Sequence, residues 1–391
     1  MLISRTTSGK PILAAAIMAG LLALAAAAAW SVSYYRAHQP IELGPRQPLG
    51  DSATIAPPAG WTINPPSENA IADFAEPAGA MQTRRLLVYY EQADSAVSPS
   101  LLIRRKQLGP MSFSAGFQIG PLPACQTLVI SRERENLTKD LVRVAVMGPR
   151  EFLILRLLCV GPPTDYEVNL LDQVARSVQL DPNVYLPADK RARQVGLRLT
   201  GQTASWLAPA QAQPANTLVL LPVAGGKSGG SGFWGAVRIR KEYALPGVDL
   251  GRLLADRRVA DPLARLFRRP VEPDEWSFAP EANEPDQADG GSLPAAEQRK
   301  VAGLTVWQVR HVDHDRHVVR LRFAFRPILF QAGAAPESAG PQTAPGSAKP
   351  QPAAVSSNRA IVLDAWADLA DEQAATAAID ELIPSVRLPL P

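Results

Sequence analysis

The alternation of apolar and polar positions repeats one plan twice. Residues 152–160 are nearly all apolar and predict a buried strand. Residues 166–177 follow with a helical stripe of Leu170, Leu171, Val174 and Val178, and the unit closes on Ser177-Val178-Gln179-Leu180. Thr164, with Glu167 three residues on, reads as a capping box for that helix. Shifted by 208 positions, the plan returns without a gap. Leu155 falls on Leu363, Asp172 on Asp380, Ser177 on Ser385, Val178 on Val386 and Leu180 on Leu388. In the second copy Asp371 is the expected cap, and Ala375, Ile379, Leu382 and Ile383 the inward face.

Upstream of each buried strand the pattern changes to period two. In residues 141–147, Val142, Val144 and Val146 point one way and Arg143 the other, the signature of a half-buried strand. Strands are expected at 85–91, 101–105, 126–132, 217–223, 236–240, 305–310, 318–325 and 361–367, with 133–140 a polar hairpin loop. Residues 305–310 match 127–132, and Arg320 falls on Arg143. The expected fold class is therefore α+β: two tandem repeats of an antiparallel sheet packed with helices, behind one N-terminal transmembrane helix.

That last element rests on residues 12–30, which carry no charge. At 1.5 Å per residue the run is about 28 Å long, close to a hydrocarbon core of ~30 Å. Arg5 and Lys10 precede it, and Trp30, Tyr34, Tyr35 and Arg36 follow. This favours a single-pass membrane protein with a cytoplasmic N-terminus and the bulk of the chain periplasmic or extracellular. A cleaved signal peptide is the competing reading, with Ala27-Ala28-Ala29 as its small-residue site. The expected division is a tail at 1–10, the membrane segment at 11–35, a linker at 36–56, a first domain at 57–182, a connector at 183–216 and a second domain at 217–391. Residues 281–298 and 331–358 are expected to be disordered insertions, one acidic, the other rich in Ala, Pro, Gly and Ser.

Composition narrows function more by exclusion than by assignment. A net charge of +3 over 391 residues gives no electrostatic reason to expect nucleic acid. Two cysteines, Cys125 and Cys159, rule out a disulfide framework and a four-cysteine zinc site; they form one bridge in an oxidising compartment or stay as buried thiols. Three of the four histidines sit in one stretch, His311, His314 and His317, among Asp313 and Asp315. On a hairpin tip His311 and His317 can face each other, so this turn is the candidate metal site, with a solvated turn as the alternative. Gly225-Gly226-Lys227-Ser228 lacks the leading glycine of a phosphate loop, since position 221 is Leu. Asp261-Pro262 starts a helix whose outer face carries Arg265, Arg268 and Arg269, the candidate interaction residues. No G-x-S-x-G or other catalytic spacing occurs, and no cofactor is implied.

The opening Pro58-Ala59-Gly60-Trp61, the succession of strands and the closing helix with Ser177-Val178 resemble the PsbP-like domain family. That resemblance implies a curved antiparallel sheet between helices and a non-catalytic accessory role in assembly of a larger complex. The function expected from the sequence is thus a non-enzymatic, membrane-anchored binding or assembly module of a membrane or envelope complex, with an unnamed protein partner. A metal-binding protein or metal-dependent enzyme using the histidine turn is the alternative.

Overall fold

The computed structural model describes residues 40–66, 69–77, 84–93, 98–105, 113–133, 136–148, 150–160, 165–201, 203–210, 217–224, 235–244, 249–255, 296–330 and 359–389, together with 247 and isolated helical positions between 18 and 31. Its first half runs β1 (Gln47–Leu49), β2 (Ala53–Ile55), β3 (Thr62–Asn64), β4 (Ala72–Ala75), β5 (Arg84–Gln92), α1 (Pro99–Arg105), β6 (Phe113–Ile119), β7 (Leu122–Glu133), β8 (Asn136–Val146), β9 (Glu151–Val160), α2 (Asp165–Arg176) and β10 (Gln179–Leu180). The second half runs β11 (Tyr185–Pro187), α3 (Ala188–Gln194), β12 (Arg198–Leu199), β13 (Trp206–Pro209), β14 (Thr217–Pro222), β15 (Ala236–Tyr243), α4 (Leu250–Ala255), β16 (Glu297–Val301), β17 (Leu304–Asp313), β18 (Val318–Phe325), β19 (Ile328–Phe330), β20 (Arg359–Asp368), α5 (Glu372–Leu382) and β21 (Val386–Pro389).

Two large antiparallel sheets carry the fold. The first has the order β3-β4-β5-β9-β8-β7-β6; the second has β13-β14-β15-β20-β18-β17-β16, with β11 added outside β13. The orders correspond strand for strand, and β20 lies 208 positions beyond β9 at both ends. In each half the strand after the long helix pairs antiparallel with a short strand that precedes the sheet: β10 with β2, and β21 with β12.

Strand dominates the described residues, in several multi-stranded sheets, and this corrects the expected α+β class. One sequence feature hid strand content. Residues 133–140 look like a loop because they are polar, yet β7 runs to Glu133 and β8 starts at Asn136. Lys139 and Asp140 are buried there because each meets an opposite charge, Glu167 and Arg156. Conversely, residues 101–105 are helical, not extended. Ser98 Oγ accepts from the Leu101 N–H at 3.0 Å and Pro99 takes the first helical position, a start that apolar content alone does not reveal.

The transmembrane helix is corrected as well. Residues 12–30 lie mostly outside the described positions. Among the described residues the longest helix, α2, has 12 residues, about 18 Å, and none is long and apolar enough to cross a membrane. Membrane attachment through an N-terminal helix or signal-anchor is accordingly not supported.

In each half the long helix covers one sheet face through the residues its periodicity predicts. Leu170, Leu171 and Val174 are buried in α2, and Ala375, Ile379 and Leu382 in α5. One polar tie fixes each helix to its sheet, but with its parts exchanged. In the first half Arg143 of β8 stacks on Phe117 of β6 at 4.6 Å and donates to Asp172 of α2 at 3.0 Å. In the second, Arg299 of β16 stacks on Phe323 of β18 at 5.3 Å and donates to Asp380 of α5 at 2.7 Å. Register therefore sets Phe323 at the place of Arg143 and Arg320 at that of Asp140, correcting the match of Arg320 to Arg143. It likewise sets Gln308 at the place of Gln126, in place of the match between 305–310 and 127–132.

The halves share a core. Val219, Leu221, Ala236, Val318 and Trp366 of the second pack into the apolar cluster of the first. Polar contacts cross the same seam: Ser100 Oγ donates to Asp368 at 2.6 Å, Ser98 N to the Arg316 carbonyl at 3.4 Å and Ala224 N to the Pro121 carbonyl at 2.7 Å.

Candidate functional site

The histidine turn is held by hydrogen bonds of its own backbone. His311 lies on β17 opposite Arg320, not opposite His317. Burial first, and Arg320 second, push the His311 pKa down. Asp313 Oδ1 accepts from the Arg316 N–H at 2.9 Å, and His317 takes a positive φ of 52° to close the turn. The carbonyls of Arg316 and His317 then accept from Ser98 and Leu369. His317 N donates to the His314 carbonyl at 3.4 Å, and among the described residues no group of three His, Cys, Asp or Glu is placed to hold a metal ion. Arg265, Arg268 and Arg269, Asp261-Pro262 and Gly225-Gly226-Lys227-Ser228 lie outside the described residues.

Both cysteines are free and buried, on β7 and β9, so no bridge forms between them. Burial pushes the Cys159 thiol up to about 12, with Glu167 adding to it, and pushes Cys125 higher still. Thiols so held stay protonated and unreactive. The neighbour of Cys159 is a charge cluster that sequence reading missed. Cys159 sits between Arg84 and Lys139 in register, and both cations meet Glu167 from the first turn of α2, at 3.2 and 3.4 Å. Glu167 thus serves the sheet, while Thr164, its expected capping partner, lies outside the described residues.

A second cluster centres on Asp364 of β20. Arg238 and Arg322 stand directly opposite it on the two flanking strands, and Arg240 reaches it at 3.2 Å. Burial pushes the Asp364 carboxyl up, but the three guanidiniums more than offset this and hold it well below the usual carboxylate range. Asp364 is 3 % exposed, and its charge is spent on these three guanidiniums.

A concave place lies at the C-terminal end of α5. Here the chain between β12 and β13 crosses the helix end and leaves a cleft of about 300 Å³. Leu199, Leu382, Pro384 and the edge of Trp206 give it apolar walls. Thr200, Thr203, Ser385 and Glu381 supply its polar groups, with Gly201 at the bend. Two of the hydroxyl protons are already committed: Thr200 Oγ1 donates to the Ser385 carbonyl at 3.2 Å and Ser385 Oγ to the Leu382 carbonyl at 2.6 Å. Their oxygens therefore face a ligand as acceptors. Among the described residues Glu381 adds a carboxylate without an ion-pair partner, and no basic side chain lines the cleft. The nearby Arg387 guanidinium donates to the carbonyls of Pro384 and Val386. The last turn of α5 itself carries no basic residue, and Arg387 is the cation at that end. The place thus suits a donor-rich group carried on an apolar body.

The signal for this cleft was present but unread. Register sets Trp206 at the place of Trp61, and Glu381 lies 208 positions beyond Gln173.

No family model matches the chain, so the PsbP-like resemblance gains no support there, and no curated protein matches it. Several solved structures share limited likeness, two of them as follows. One, from Bacteroides thetaiotaomicron VPI-5482, is 10% identical over 39% of this chain and 58% of its own, with a TM-score of 0.26. The chain thus spans less than two thirds of that protein. The other, LpqN, involved in cell envelope biogenesis of Mycobacterium tuberculosis, is 15% identical over 38% of this chain and 95% of its own, also with a TM-score of 0.26.

Proposed function

We propose that this protein is a non-enzymatic binding or assembly module that works outside the cytoplasm as part of an envelope complex, and that it meets its partner through the cleft at the end of α5. The cleft carries the reading: about 300 Å³, apolar walls and a rim of acceptors, at the lower end of what ligand sites use. The chemistry elsewhere points the same way. The thiols are buried and protonated, and the Ser98, Ser100 and Asp368 set is consumed in joining the halves. The extracytoplasmic setting is supported by the uncharged run at 12–30 with Arg5 and Lys10 before it, which also reads as an export signal. The two matching sheets are read as a duplication of one unit, the second copy beginning ahead of β12 and β13, within the stretch 183–216 expected as a connector.

The test is capture of the full chain with its partners from native cells, beside Thr203→Trp, which fills the cleft. The expected result is a reproducible envelope protein that is lost in the variant. Equal capture by both proteins overturns the reading.

A further inference from the structure

We infer that the cleft of the second half is a docking groove for an extended segment of a partner polypeptide, with a basic side chain directed at Glu381. This rests on the reading of the protein as a binding module and names what it binds.

The first half displays such an occupant in its own structure. Ala56 and Ser177 there hold the places of Thr200 and Ser385, since β2 with β10 and β12 with β21 pair in corresponding register. Each pair is hydrogen-bonded: Ala56 N donates to Ser177 Oγ at 3.0 Å, and Thr200 N to the Ser385 carbonyl at 2.9 Å. Over the surface that follows Ala56 lies an extended stretch, residues 40–45. Leu43 bridges antiparallel to Pro58, Gly44 N donates to the Pro57 carbonyl at 2.7 Å, and Ala59 N to the Glu42 carbonyl at 2.8 Å. Ile41 N then reaches Gln173 Oε1 on α2 at 2.9 Å. Ile41 and Leu43 pack against the core while Glu42 between them is exposed, the alternation of a bound strand.

In the second half the corresponding surface is the cleft. Residue 381, the counterpart of Gln173, is Glu, exposed and without an ion-pair partner among the described residues. A neutral amide that accepts one peptide N–H is thus replaced by a carboxylate that accepts the same N–H and also attracts a cation. The spent hydroxyl protons of Thr200 and Ser385 act in the same direction. A lysine or arginine placed where Ile41 sits in the first half completes the charge.

The probe is the heptapeptide acetyl-Pro-Ile-Glu-Leu-Gly-Pro-Arg-amide, the sequence of residues 40–46, made also with Ile41→Lys and with Ile41→Glu. Each is titrated into the full chain by calorimetry. The expected result is saturable binding, about tenfold tighter for the Lys peptide than for the Glu peptide. Glu381→Gln in the protein should erase that preference while leaving the parent peptide bound, and Thr203→Trp should remove all binding. Absence of saturable binding, binding that survives Thr203→Trp, or no preference for lysine overturns the inference. Self-association of the chain abolished by Thr203→Trp also overturns it, by making the occupant a second copy. If partner capture depends on Thr203 while the peptides fail, the binding reading stands and the peptide inference falls. If neither depends on Thr203, both fall.

Discussion

Asp371 follows the end of β20, beside the buried Asp368 that ties the halves together, and its Oδ2 has no hydrogen-bond partner. Burial first, and the Asp368 charge second, raise its pKa from 3.8 to about 7. Between those values the folded chain binds more protons at this site than the unfolded chain does. Its contribution to stability is therefore full below the unfolded value and is lost as pH rises toward 7. Urea unfolding at pH 5 and pH 7 should show Asp371→Asn losing less stability over that interval than the parent; equal losses would refute the assignment. Arg143 makes the opposite kind of contribution. It is fully buried, donates to Gln126, Asp172 and the Gln118 carbonyl, and stacks on Phe117. Arg143→Met should cost about 3 kcal/mol in urea unfolding, because Gln126 is left buried without its donor. A loss below about 1 kcal/mol would mean that the site relaxes or hydrates.

At the scale of elements, the turn between β6 and β7 holds the end of α2. Gly120 N donates to the Ala175 carbonyl at 2.8 Å, φ is +55°, and a Cβ there would stand 2.5 Å from the Val178 carbonyl oxygen. Gly120→Ala should destabilise by about 3 kcal/mol. Gly60→Ala, with φ +77° but open space, should cost only about 1 kcal/mol; similar losses would show that the helix end yields. Much of this layer was legible beforehand. The 208-residue shift finds both buried strands and both helices, because an apolar run followed by a helical stripe survives divergence. Residue pairings upstream were not legible. Arg143 and Phe117 answer to Phe323 and Arg299, so the tie keeps its carboxylate while its other two members trade strands, and matching by residue type slips the register. Residues 133–140 misled for a related reason: a polar strand looks like a loop until its partners, here Glu167 and Arg156 from distant stretches, are in place. The cleft was legible only in part, through Trp206; the significance of Glu381 needs the first half's Ile41–Gln173 contact beside it.

At the scale of the molecule the two sheets are one cooperative body, because Trp366, Val318 and Leu221 of the second half lie in the core of the first. Calorimetry should show a single transition with matching calorimetric and van't Hoff enthalpies. Trp366→Ala should lower stability by about 4 kcal/mol. Two separated transitions in the parent protein would show the halves to be independent. Such a body presents its cleft on a fixed frame, with Thr203 at the rim and the exposed Ala377 elsewhere on the same helix as a reference point. The most direct test of the binding role places a photo-crosslinking residue at position 203 or at position 377 of the full chain in its native cells. A discrete adduct with one polypeptide from position 203, and none from 377, is the predicted result. No adduct at 203, or the same adducts from both positions, would contradict the account.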